Sequence, residues 1–594
     1  MVNYQAPLRD MRFIYHELLD AEQLQALPGY EDASAELVDA VLDEAARLCE
    51  NVLLPLNRSG DEEGCRLEGG DVRTPRGFRE AYKTFAEGGW TSIVCDPAYG
   101  GQGLPNTVNI MVQEMICSSN LSFGMYPGLT YGAVHAISTH GSNTLKQTYL
   151  PRLVEGRWSG TMCLTEPQCG TDLGLVRTKA IPQDDGNYKI TGTKIFISAG
   201  DHNLTENIVH LVLARTPDAP KGIKGISLFL VPKFHVNGSG TVGARNAVSC
   251  GALEHKMGIK ASSTCVLNFD GATGYLVGEL HKGMRAMFTM MNAARLEVGI
   301  QGLGLAEAAY QGAVAYARER IQGRALKGVR QADKPADPII VHPDVRRMLL
   351  TMRANTEGAR ALAGWLATQL DVLAKHPDAD KRQHAKDLVA LLTPVAKAFF
   401  TDMGFEMTNL GLQVFGGHGY IRENGMEQYV RDARITQLYE GTNGIQALDL
   451  VGRKLPAHTG RYLRSFFHPA QKFIEAHADK DAMKEFVLPL AKAFGRLQRA
   501  TGRIAQRGLR DPDEAGAAAT DYLRLFGLVA LGYMWARMAA LALEKREGGD
   551  AGFYEAKIKT ARFYMQRLLP QTSGVFAAIM AGGQSIMEFD ESAF

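Results

Sequence analysis

Apolar positions along this chain follow two spacings, and the switch between them divides it. "ASAELVDAVLDEAARLCENVLLPLNR" (33–58) places apolar residues three and four apart, the period of an amphipathic helix. "GSNTLKQTYLPRLVEG" (141–156) predicts a second helix, entered through Gly-Ser-Asn and ended at Gly156. "DPAYGGQGLP" (96–105) is a Gly/Pro loop between helical stretches. After Trp158 the pattern shortens. "NYKITGTKIFIS", "NIVHLVLAR", "GISLFLVPK" and "STCVLNF" are runs rich in β-branched and aromatic residues, parted by Gly, Asn, Asp and Pro. They predict a small antiparallel sheet domain over 159 to about 275. From about Gly283 the helical period returns in three long segments, 287–321, 342–370 and 384–416, as in a helical bundle. "KLPAHTGRYLRSFFHPAQ" (454–471) reads as a linker, and 472–594 as further Ala-rich helix.

Length and composition narrow the class without naming a function. The 594 residues are enough for three or four domains, and 45% hydrophobic with 22% charged is an ordinary globular balance. A net charge of +1 with no basic block argues against nucleic acid as a partner. Eight scattered cysteines, with no Cys-x-x-Cys, predict free thiols in a reducing compartment. The first twenty residues have mixed charge and no apolar core, unlike a secretory signal. The most apolar window, Leu525 to Leu543, holds Arg537 and two glycines and reads as a buried helix rather than a membrane span.

Several common signatures are absent: no G-x-x-x-x-G-K-[ST], no G-x-S-x-G, no H-E-x-x-H and no metal-ligand spacing among the fifteen histidines. "GLGLAE" (302–307) lies inside a helical pattern and ends in Glu307, which argues against a dinucleotide fingerprint. Three stretches stand out. "CLTEPQCGTDLG" (163–174) offers hydroxyls, glycines and two acids in a tight loop, where backbone amides can meet a ring or a phosphate closely. "QVFGGHGYIREN" (413–424) ends a long helix in glycines, either a C-cap or an amide-rich binding loop. "ITQLYEGTNGIQ" (435–446) carries one acid, Glu440, between an apolar run and a Gly-Thr turn. A turn residue and a base are both compatible with that local sequence.

Together, and in this order, the three stretches resemble the signatures of the acyl-CoA dehydrogenases. The resemblance runs from about residue 40 to 455, and the "KIFIS" run lies between the motifs. It is closest to the larger bacterial subgroup, which adds a helical C-terminal domain and an N-terminal segment like Tyr4–Phe13. The implied fold is mostly α with a central β-domain: a helical domain (1–158), an antiparallel β-barrel or sheet domain (159–282), a four-helix bundle carrying the catalytic Glu (283–460) and an extra helical C-terminal domain (461–594).

The implied reaction is FAD-dependent α,β-desaturation of an acyl-CoA thioester to a trans-2-enoyl-CoA. Glu440 would remove the α-proton while flavin N5 accepts the β-hydride. A carboxylate in a dry pocket suits that task, because desolvation raises its pKa toward working pH. The apolar run of Ile435, Leu438 and Tyr439 is consistent with such a pocket, and Gly441 would let the turn approach the thioester. The Glu440 backbone N–H would help stabilise the enolate oxygen. Some relatives carry the base on another helix; Ala294 stands at that position here, which favours Glu440. By the same resemblance, Leu164 and Thr165 meet the flavin edge, and Gly170 and Thr171 lie near phosphate and thioester. Phe196 and Ser198 flank the ring where Trp and Thr are frequent. Arg320 and Gln322 reach the FAD of a neighbouring subunit, with Gly323 where Phe is frequent. Gln413, Gly416 and Gly417 grip the ADP moiety across subunits, and Thr442 contacts FAD, with Gly444 replacing a frequent Gln. Arg295 and Arg453 are CoA-side candidates, and Thr171, Tyr439 and Gly441 border substrate. The resemblance further implies a cytoplasmic homo-oligomer, dimer or tetramer, in which the extra C-terminal domain would occupy tetramer-packing surface and so favours a homodimer. It implies electrons passed to an electron-transfer flavoprotein, no metal, and a substrate that is either a medium- or long-chain fatty acyl-CoA or 3-methylmercaptopropionyl-CoA. An acyl-CoA oxidase and an inactive flavin- or CoA-binding assembly protein are the alternatives.

Overall fold

The computed structural model describes residues 3–238 and 240–594. The helices that matter below are α1 (Ala35–Leu48), α2 (Asn106–His140), α3 (Asn143–Val154), α4 (Gly283–Glu319), α5 (Pro343–Lys375), α6 (Ala379–Phe415), α7 (Asn443–Asp449), α8 (Arg461–His477), α9 (Lys484–Gly508), α10 (Pro512–Lys545) and α11 (Ala551–Phe563). The chain forms two compact units. One comprises residues 1–46, 105–118 and 298–594; the other comprises 47–104 and 119–297.

The second unit holds the sheet. Its strands are β1 (Trp158–Cys163), β2 (Lys179–Pro182), β3 (Tyr188–Ser198), β4 (Asn207–Ala214), β5 (Ser227–Pro232), β6 (Val248–Leu253) and β7 (Thr264–Val277). Their order is β1-β4-β5-β7-β3-β2, with β6 paired to β7. The sequence pattern predicts an antiparallel sheet, and the structure corrects this at one edge: β1 runs parallel to β4, with Trp158 opposite Asn207 and Cys163 opposite Val212. Both faces of β4 are covered. Val209, Leu211 and Leu213 enter one core with Leu228 and Leu230, while Val212 and Ala214 enter another with Phe229 and Val231. A strand buried on both faces needs a nearly continuous apolar run, and "IVHLVLA" supplies it, with its one polar residue, His210, paired through Nδ1 to Thr161 Oγ1 at 2.8 Å. In α2 the helix breaks at Asn120 (φ −160°), whose side chain accepts from Phe123 N at 3.0 Å and donates to the Leu53 carbonyl at 3.1 Å. That bond caps the helix as it restarts.

In the first unit α4 and α6 touch backbone to backbone. A Cβ on Gly404 would sit 2.4 Å from the Gly302 carbonyl oxygen, so only glycine permits the crossing. The predicted linker at 454–471 is mostly helix: α8 starts at Arg461, and Phe466 is fully buried with its ring 4.9 Å from that of Phe526. Pro456, Gly460 and Pro469 gave the stretch the look of a linker, but its aromatic side is core. The window Leu525–Leu543 lies in α10, as the reading of a buried helix required. Two helical stretches, 379–420 and 512–545, are long and apolar enough to cross a membrane, and 78% and 83% of their apolar windows are buried in the protein. Arg537 lies over the Trp365 and Tyr533 rings and donates to the Leu18 carbonyl. All eight cysteines are free thiols, seven of them buried.

A buried ion network ties the first unit together. Arg360 of α5 donates to Glu114 of α2 at 2.5 Å, to Glu307 of α4 at 2.6 Å, and to Asp10 near the N-terminus. Asp10 also accepts from Lys557 of α11, which reaches Glu357 at 2.7 Å. Glu357 in turn accepts from Arg353 at 2.7 Å.

Candidate active site

The sheet-bearing unit fixes the first signature loop from beneath. β1 ends at Cys163, and the loop starts at Leu164. Lys194 of β3, fully buried, donates to the Leu164 carbonyl at 2.9 Å and to Glu166 at 2.8 Å. Glu166 also accepts from Gln168 Nε2, Arg177 N, Thr178 N and Thr178 Oγ1, all within 3.0 Å. Burial works to raise the Glu166 pKa, but Lys194 and these donors outweigh it and bring the carboxyl down to about 2. The same burial lowers the Lys194 pKa, against the pull of Glu166. Ile195 N donates to the Thr165 carbonyl at 2.9 Å, so the loop is laced to β3. Leu164, Thr165, Phe196 and Ser198 are thereby brought together at one end of the sheet, while Gly170 and Thr171 stand exposed farther along the loop. Phe196 is 59% exposed on a backbone at φ 56°. An aromatic left open on a strained backbone, beside a loop locked by a buried ion pair, fits a planar apolar ring laid against it. Arg295 of α4 is buried, its guanidinium 5.9 Å from the Phe288 ring centre.

In the other unit, Glu440 lies three residues past a short tightened helix (Ile435–Gln437) and adopts φ 58°, and Gly441 follows at φ 87°. Thr442 caps α7, accepting from Ile445 N at 3.4 Å. Side chains hold this turn on every side. Tyr439 OH donates to Gln301 of α4. Asn443 accepts from Lys397 Nζ at 2.8 Å and donates to Thr401 Oγ1 at 2.9 Å and Asp402 at 2.6 Å, all on α6. Gln437, before the turn, also donates to Asp402, at 2.7 Å. Gln446 Nε2 donates to the Glu440 carbonyl at 3.1 Å and to the Gly441 carbonyl at 3.4 Å. Glu440 is half-buried and Leu438 is 45% exposed, so the expected apolar run does not by itself bury the carboxylate.

Arg320, Gln322, Gln413, Gly416 and Gly417 gather at a third place, all exposed, where α4 and α6 end. The Tyr316 ring stacks on Phe415 at 4.2 Å, and its hydroxyl meets His418 Nδ1 at 2.9 Å, joining the two helix ends. Gly416 leaves the helix at φ 59° with nothing within 4 Å of where its Cβ would be. Asp402 and Gly416 are separated along α6 by about 20 Å at the helical rise of about 1.5 Å per residue. Within one chain these residues are therefore not neighbours of Glu440. Arg453 is mostly exposed and donates to Asp449 at 2.5 Å.

Four matches tile this architecture. Residues 36–157 match the acyl-CoA dehydrogenase N-terminal domain, 161–272 the middle domain, 281–455 the C-terminal domain, and 466–590 a domain described as acetyl-CoA dehydrogenase C-terminal like. Over 99% of both lengths the chain is 45% identical to 3-methylmercaptopropionyl-CoA dehydrogenase of Ruegeria pomeroyi. The chain belongs to the acyl-CoA dehydrogenase family. Another relative of this acyl-CoA dehydrogenase is the broad-specificity linear acyl-CoA dehydrogenase FadE5 of Mycobacterium tuberculosis, 34% identical over the full length of both. The fold is also that of an acyl-CoA dehydrogenase from Bacillus anthracis complexed with FAD, at a TM-score of 0.74 and 21% identity, over 94% of this chain and 90% of that one.

The sequence pattern passed over several residues that this acyl-CoA dehydrogenase uses to hold its signature segments: Lys194, Gln301, Lys397, Asp402 and Gln446. Glu166 lies inside the first signature loop, but its partner is 28 residues away, in β3. A buried lysine in an otherwise β-branched strand is the one sequence signal that points to such a pair.

Proposed function

We propose that the protein is an FAD-dependent acyl-CoA dehydrogenase that desaturates an acyl-CoA thioester to a trans-2-enoyl-CoA with Glu440 as the base. The observation that carries this is the turn at 439–442: Glu440 stands there in a left-handed conformation, held through Gln301, Asn443 and Gln446. Bound FAD would accept the two electrons released as the Cα–Cβ bond becomes double. Leu164, Thr165, Phe196 and Ser198 hold its ring, Gly170 and Thr171 serve phosphate and thioester, and Thr442 adds a contact. Glu440 takes the α-proton, its own N–H bonds the thioester oxygen, and Tyr439 and Gly441 border the acyl group. Arg295 and Arg453 serve the CoA side. Arg320, Gln322, Gln413, Gly416 and Gly417 lie too far from Glu440 along α6 to serve the same flavin ring. They suit the ADP end of FAD in a second copy, which makes the enzyme a homodimer. Electrons pass to an electron-transfer flavoprotein in the cytoplasm. The relatives' names bracket the substrate between linear fatty acyl-CoA and 3-methylmercaptopropionyl-CoA.

Glu440→Gln tests the reading. The variant should keep its flavin yet lose activity by on the order of 10^2- to 10^4-fold. A panel of acyl-CoAs, with reoxidation followed against oxygen and against electron-transfer flavoprotein, sorts substrate and acceptor. Near-full turnover by Glu440→Gln overturns the base assignment.

A further inference from the structure

Gln446 lies six residues past the base, on the opposite side of the turn. It is fully buried, and its side-chain amide bonds the carbonyls of both Glu440 and Gly441. Its orientation is fixed by chemistry: were the amide turned over, its oxygen would face two carbonyl oxygens. Its Oε1 has no hydrogen-bond partner among the described residues, so the donor end alone anchors it. The space it occupies exists because residue 441 is glycine; a Cβ there would lie 2.6 Å from Gln446 Nε2. Glu440, with φ 58°, sits in a backbone region that a residue with a side chain leaves unless its surroundings hold it. The bond from Gln446 fixes the 440–441 peptide plane, while the Tyr439 hydroxyl bonded to Gln301 holds the residue on the other side of the Glu440 Cα. Together these restraints set the direction of the carboxylate and of the Glu440 N–H.

We infer that Gln446 is a positioning residue for the proton transfer: it holds the 440–441 peptide so that the carboxylate and the backbone N–H address the same thioester at once. This rests on Glu440 being the base. Gln446 is a side-chain brace on the turn rather than part of the site's surface, so its loss should leave substrate binding in place and slow the chemical step.

The test uses the flavin-loaded enzyme, with activity counted per bound flavin so that a partly unfolded preparation still reports. Gln446→Leu keeps much of the volume and removes the donor. It should lower kcat about ten- to hundredfold, the cost of a misplaced reacting group, with KM changed less than about threefold. Gln446→Glu gives a sign a merely structural role would not. Its carboxylate is acceptor-only when ionised, but protonated it again offers one O–H donor. The ratio of its kcat to that of the native enzyme should therefore rise as pH falls between about 9 and 6. A kcat for Gln446→Leu within about twofold of native, or a flat Gln446→Glu ratio, overturns the inference. Glu440→Gln is run alongside: if it is active, the base reading has failed; if it is inactive while Gln446→Leu is not, only the positioning role has failed.

Discussion

Replacing Glu114 with glutamine should stabilise the protein, and more so as pH rises. Glu114 is 2% exposed and faces Arg360, with Glu307 and Asp10 around the same guanidinium. Burial pushes its carboxyl up to about 7; Arg360 pulls it down, and Glu307 and Asp10 add to the rise. Its ordinary value is 4.5. The folded chain thus holds this proton more tightly than the unfolded chain. That contribution is present in full below about 4.5 and is lost as pH climbs through about 7. At about 1.4 kcal/mol per pH unit, the gap between the two values corresponds to about 3 kcal/mol. Glu114→Gln fixes the neutral form, keeps an acceptor for Arg360, and escapes the loss. Thermal unfolding of both proteins, followed by circular dichroism at about pH 5 and about pH 8.5, reads the difference. The variant should gain under about 1 kcal/mol at the lower pH and about 3 kcal/mol at the higher, there a rise on the order of 5 °C in midpoint. If the variant is equally or less stable at the higher pH, Arg360 holds Glu114 as a carboxylate and desolvation is the weaker force.

Lys194→Met strips Glu166 of its buried cation. It should cost about 3 kcal/mol or more and loosen flavin retention, read by the unfolding midpoint and by the ratio of flavin to protein absorbance. An unchanged midpoint and full flavin would show the pair to be dispensable. Light scattering of the flavin-loaded enzyme should give a mass near twice the 64.8 kDa of the chain, and a mass near four chains refutes the dimer.

The long helices and most strands were legible because their cores are local in sequence. The period of α4, α5 and α6 repeats over more than thirty residues each, and β4 is one apolar run. β1 was not legible. "WSGTMC" mixes small and polar residues, and what makes it a strand is pairing with β4 some fifty residues on. The start of α8 was hidden by Pro456 and Gly460, although Phe466 alone, buried against Phe526, marks it as core. At the site, Glu440 stood out through the motif around it. Gln446 did not, because its function depends on a left-handed turn folding back over it. The ion network had no local trace at all: its members come from five helical segments and are neutral to pattern until the fold brings them together.

The bond from Lys557 to Asp10 spans 547 residues. At synthesis rates of about 5–20 residues per second, Asp10 leaves the ribosome on the order of half a minute to two minutes before Lys557 does. Throughout that time the N-terminal segment carries a carboxylate meant for the interior and no lysine to meet it. The aromatic and apolar side chains beside it, Tyr4, Met11 and Phe13, are likewise destined for burial. The beginning of this protein is thus among the last parts of its first unit to settle, and a stalled or truncated chain lacking its final helices leaves that beginning exposed to proteases and chaperones.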